Sequence, residues 1–126
     1  MLLVLVHEAG HAIAAWSTGL NVRAIVVAGF GGLCFTESQP SSRPRALALY
    51  SGGLIAQILL FAGTLVLVSA FGNPPNVFLS SLALMFTLIN AIMFIGNAVP
   101  TRVGSGLVTD GYLIWRVLRG DRLDGA

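Results

Sequence analysis

The chain has 126 residues, enough for one domain and too few for two of ordinary size. Its residues are 56% apolar and only 10% charged, with a mean hydropathy of +0.85, whereas soluble domains carry about 25% charged residues; this composition excludes an ordinary soluble domain and points to a membrane protein. A net charge of +2 with no basic cluster among aromatics excludes a nucleic-acid surface, and the single cysteine, Cys34, excludes an internal disulfide.

The first apolar stretch runs from Met1 to about Thr18, where Gly19 and Asn21 end it. Its opening, MLLVLV, lacks a basic n-region, and no cleavage-site pattern follows, so it does not read as a signal peptide. Next, VRAIVVAGFGGLCFTE (22–37) reads as two short strands around a glycine turn, with Cys34 a small apolar side chain. SQPSSRPR (38–45) is a polar loop. The second apolar stretch spans about Ala46 to Phe71, the third about Val77 to Ala98, and GNPPN (72–76) turns between them. PTRVGSGLVT (100–109) is broken by proline and glycine. DGYLIWRVLRG (110–120) then reads as a short amphipathic helix, started by Asp110 or Thr109 and stopped by Gly120.

The expected fold is therefore an all-α membrane protein, 1–126 forming one core. It has three transmembrane helices, a short β-hairpin after the first, and a short amphipathic C-terminal helix. All seven basic residues are arginine. With three crossings they fall on one side, which the positive-inside rule makes cytoplasmic. The N-terminus then faces outside, pointing to a helix before it.

The first stretch contains HEAGH (7–11). Residues four apart share a helix face, so His7 and His11 can turn both imidazoles to one metal ion. Glu8 beside them can reach a metal-bound water as general base, the logic of the HExxH zinc site. Bound zinc lowers the pKa of its water to about 7. Such polar groups in apolar sequence need partners, because a charged side chain at mid-bilayer costs about 2.5–3.5 kcal/mol. A metal ion satisfies them, as helix-helix hydrogen bonds would in the plainer reading. A third protein ligand is needed, and no further histidine exists. The other acids are Glu37, Asp110, Asp121 and Asp124, with Cys34 an outside possibility. Asp110 starts a helix, so ligation competes with simple capping.

HEAGH, the GFGG segment, SGGLIAQ (51–57), and NAVP (97–100) followed by DG (110–111) together resemble the site-2 protease family of intramembrane zinc metalloproteases. That resemblance covers nearly the whole chain in the right order. It implies Zn2+ bound by His7, His11 and Asp110, Glu8 activating the water, and Asn97 near the substrate or the developing oxyanion. Two departures stand out: nine residues separate Pro100 from Asp110, and Gly53 and Gln57 stand where the family often has proline and asparagine. The implied function is zinc-dependent hydrolysis of peptide bonds in membrane-spanning or membrane-proximal segments. Its partners are a membrane-protein substrate and the bilayer, and its active site opens towards the cytoplasm. The substrate helix must unwind to be cut, and the strands at 22–37 offer an edge for it to pair with. The alternatives are a non-proteolytic protein with a structural or sensing metal site, or a scaffold with a degenerate site.

Overall fold

The computed structural model describes residues 1–28, 31–72, 74–103 and 107–121. The glycine turn at 29–30, Asn73 of the 72–76 turn, the centre of the 101–109 loop and the tail with Asp124 lie outside the described residues.

The order is α1 (Leu2–Ser17), β1 (Val22–Ala28), β2 (Gly31–Thr36), α2 (Arg43–Phe71), α3 (Val77–Ala98), β3 (Arg102–Val103), β4 (Leu107–Val108) and α4 (Asp110–Arg119). Local chemistry explains most of these limits. Gly19, at φ +78°, turns the chain out of α1. Pro44 sits in the first turn of α2, where its missing N–H costs nothing. The side chain of Asn76 accepts from the Phe78 amide (2.8 Å) to start α3. Thr109, not Asp110, caps α4: its hydroxyl oxygen accepts from the Tyr112 amide, while the hydroxyl itself donates to the Val99 carbonyl (2.7 Å). Gly120, in the left-handed region, closes α4.

β1 and β2 pair antiparallel, with an irregularity between Val22 and Ala24. β3 and β4 form a second, two-residue antiparallel pair. This pair absorbs the long segment after Pro100. The Thr109 amide donates to the Thr101 carbonyl (3.1 Å), so the two ends of the segment stay side by side and α4 begins close to where α3 stops.

Two helices among the described residues, α2 and α3, are long and apolar enough to cross a membrane. The expectation of three transmembrane helices is thus corrected. At 16 residues α1 is about 24 Å long, shorter than a hydrocarbon core of about 30 Å, and eight of its residues are buried against protein. The reading of one-sided arginines through three crossings falls with it. The start of α2 and the end of α3 nevertheless lie at the same end of the molecule, because α4 starts against Ala98 at the end of α3 and ends against Arg43 at the start of α2.

α1 and α2 cross where Gly10 meets Gly52. A Cβ on Gly10 would collide with the Gly52 carbonyl oxygen, and one on Gly52 would lie 2.5 Å from the Gly10 oxygen and 2.8 Å from Ala14 Cβ. Only hydrogen side chains allow backbones this close, the packing typical of helices in apolar surroundings. Ala15, Leu20 and Leu49 form the small buried cluster beside this crossing.

Candidate metal centre

His7 and His11 lie one turn apart on the buried face of α1, at 5% and 8% exposure. Asp110, first residue of α4, meets them from across the molecule. Its Oδ2 is 3.0 Å from His7 Nε2 and its Oδ1 is 3.4 Å from His11 Nε2. The two Nε2 atoms are 3.1 Å apart. Among the described residues, Asp110 alone of the acids left open by sequence reaches this cluster. Glu37 accepts from Asn21 (3.0 Å), Asp121 pairs with Arg116 (3.4 Å), and Asp124 lies outside the described residues. Because Thr109 takes the capping role, the Asp110 carboxylate is left for other work.

The outer nitrogens decide the chemistry of the inner ones. His7 Nδ1 faces Gln57 Oε1 at 3.1 Å and His11 Nδ1 faces the Leu49 carbonyl at 2.8 Å. Both oxygens can only accept, so each Nδ1 carries the proton and each neutral ring presents a bare lone pair at Nε2. Two lone pairs and a carboxylate therefore converge on one point. Asp110 Oδ2 is buried with no hydrogen-bond partner, close as it is to His7, as expected if that nitrogen has no proton to give. Acceptors crowded in this way favour a positive charge between them, either a metal ion or a proton on one Nε2. Nitrogen and oxygen ligands about 2.0–2.2 Å from a tetrahedral ion stand about 3.3–3.6 Å from one another, and the observed 3.0–3.4 Å lies close to that range. Two histidines and one carboxylate fit zinc with a fourth position free.

Gly53 makes room for this arrangement. A Cβ there would lie 2.5 Å from both His11 Nε2 and His7 Cε1. Gly111 lets α4 start where it does, since any side chain on it would strike the Ala98 carbonyl. Its place after Asp110 thus has a steric reason: the carboxylate reaches the histidines only if the next residue can lie against the end of α3.

Glu8 is 4% exposed and lies against β2, where a Cβ on Gly32 would be 2.6 Å from Glu8 Oε1. Burial pushes the Glu8 carboxyl above its ordinary range. Glu8 and the metal-type cluster line one cavity of about 600 Å³, together with all of β2 and Asn97 of α3. Cys34 lines it too, its thiol pushed up by burial and by Glu8, outside the His7, His11, Asp110 cluster.

All five residues singled out in the sequence thus border one cavity. Sequence reasoning missed what Gln57 and Leu49 do. Gln57 carried a signal, as an amide in an otherwise apolar stretch; a backbone carbonyl such as that of Leu49 carries none.

Fold and site together define a helical protein with two apolar helices of membrane-spanning length and a two-histidine, one-carboxylate metal-type cluster beside a buried glutamate. Comparison with known proteins agrees with that class. The M50B-like peptidase family profile matches residues 1–123, and the chain belongs to this family. Membership supports a metalloprotease function at the level of the family. A Synechocystis protein whose name describes it as a candidate zinc metalloprotease is 26% identical over 120 residues, covering 90% of this chain. The chain spans about 30% of that relative's length. No solved structure matches the chain at a significant level.

Proposed function

We propose that the chain is the catalytic core of a zinc endopeptidase that hydrolyses peptide bonds in membrane-spanning or membrane-proximal protein segments. The observation that carries this reading is the convergence of His7, His11 and Asp110 in one cavity with Glu8. A purely structural zinc site is normally closed by four protein ligands, whereas this cluster offers three and has a cavity beside it. Bound there, zinc supplies a water acidic enough to be deprotonated near neutral pH. His7, His11 and Asp110 hold it. Glu8 takes the proton of the attacking water and returns it to the departing amine, and its raised pKa suits both halves of that task. Asn97 offers amide N–H groups to the substrate carbonyl as charge builds on its oxygen.

The substrate enters as an extended segment. β2 lines the cavity along its whole length, whereas β1 does not, so β2 is the strand against which an unwound helix would lie. Arg43, Arg45, Arg102, Arg116 and Arg119 surround the ends of the helices nearest the site, which favours a cytoplasmic opening in a multi-pass protein.

The test is Glu8→Gln in the purified full chain, with cleavage of transmembrane peptides followed by mass spectrometry and zinc by elemental analysis. One zinc per chain with cleavage slowed by about 10²–10⁴-fold is expected. Loss of activity accompanied by complete loss of zinc would count against the general-base role, and a wild type that binds no zinc would remove the metal reading altogether.

A further inference from the structure

The two apolar helices bury almost nothing in their most hydrophobic windows, yet each carries an almost wholly inaccessible amide. Gln57 of α2 is 1% exposed and Asn90 of α3 is 2% exposed, the latter being the one buried residue described on its helix. Asn90 Nδ2 donates to the backbone carbonyl of Gln57 (3.0 Å). The side-chain oxygen of Gln57 accepts from His7 Nδ1 (3.1 Å). One residue of α2 is therefore held from α3 and in turn holds a histidine of α1.

Packing does not account for this choice of residue. Gln57 Nε2 and Asn90 Oδ1 are buried without hydrogen-bond partners, and an unmet amide in apolar surroundings is a cost that leucine would not incur. Fixing the ring of His7 does account for it. The acceptor at Oε1 keeps the proton on Nδ1, leaves Nε2 bare, and stops the ring from turning about its χ2 bond. His11 receives the same service from a main-chain carbonyl of the same helix, that of Leu49. α2 thus supplies both outer partners, two turns apart. Asn90 also sets the register of α3, whose residue one heptad further on, Asn97, lines the cavity.

We infer that Gln57, pinned by Asn90, is a positioning residue that fixes the tautomer and orientation of His7 for metal binding; this rests on the metal reading proposed above. Zinc affinity of the full chain, measured by competition with a chelating dye, tests it. Gln57→Leu should bind zinc about 10–100-fold more weakly while its melting temperature without metal is unchanged or higher. Gln57→Glu, which keeps the size and the acceptor, should recover most of the affinity. It should also shift the visible absorption of the cobalt-loaded protein, because a carboxylate partner makes His7 a stronger donor. If Gln57→Leu bound zinc as the wild type does, or if folded Gln57→Glu were as weak as Gln57→Leu, the inference would be wrong. Should Gln57→Leu not fold, the cobalt spectrum of Gln57→Glu decides, an unchanged spectrum overturning the inference. A wild type that binds no zinc would overturn the proposed function itself, whereas equal zinc binding by wild type and Gln57→Leu overturns only the role of Gln57.

Discussion

The α1–α2 crossing and the apolar remainder of α2 and α3 are built from similar residue types but obey different rules. At the crossing, backbones touch through Gly10 and Gly52, and the histidines lie over Gly53. The residues that face each other there are buried, so shape is strictly limited. Along the rest of the two long helices only 6% of the most apolar window is buried. Leu65, Val66, Leu67, Leu82 and Leu84 point outward, where any apolar side chain serves. Hydrophobicity is thus needed in both regions, but tight packing is confined to the layer that carries the chemistry.

Substitutions can break or sharpen that contrast. The largest effect is expected from Gly52→Val, which drives a branched side chain into the Gly10 carbonyl and Ala14. Overpacking typically costs about 1–3 kcal/mol and occasionally more; because two backbones are involved, little folded protein should survive detergent extraction, as read by gel filtration. A monodisperse, zinc-binding Gly52→Val protein would show the crossing to be looser than its geometry implies.

Asp110→Ala should come next. It leaves two lone pairs without their anionic partner, so zinc affinity should fall by more than the roughly 10–100-fold typical of an outer partner. The capping by Thr109 is untouched, so the helix content seen by circular dichroism should stay as it is. A smaller effect is expected from Asn97→Ala: zinc retained, kcat reduced by up to about 10²–10³-fold if its amide meets the developing oxyanion. An unaltered kcat with raised KM would move Asn97 to ground-state binding. The smallest is Leu67→Ile, 60% exposed at its leucine, which should change stability by no more than about 0.5 kcal/mol and leave zinc binding alone. A larger loss would mean that another protein surface covers this face.

Much of this was legible in sequence because it is local. The helix over Val77–Ala98 follows from a long, uncharged and mostly apolar run between Asn76 and Val99. Gly19 and Gly120 stop their helices because only glycine accepts those backbone angles readily. HEAGH presents His7 and His11 on one face because the α-helical repeat dictates it. Two other features look local but are not. α1 reads as a third span but is not one of the two spanning-length helices, since an apolar helix reads alike whether lipid or protein covers it, and here α2 and β2 cover its buried face. Asp110 stood in sequence as ligand or cap, and the choice belonged to Thr109, whose hydroxyl took the cap.

By itself, then, the sequence determined where the helices run, which face of α1 holds two histidines and a glutamate, and which acids were available to complete a site. Tertiary structure alone decided which acid lies beside the histidines and what meets their outer nitrogens. The β3–β4 pair closes the long segment, Gly111 lets α4 lie against Ala98, and Gln57 and Leu49 occupy the outer nitrogens. The reason is physical: side-chain periodicity is a property of one helix, but a metal-type cluster and its hydrogen-bonded support are properties of distances between helices, which only packing sets.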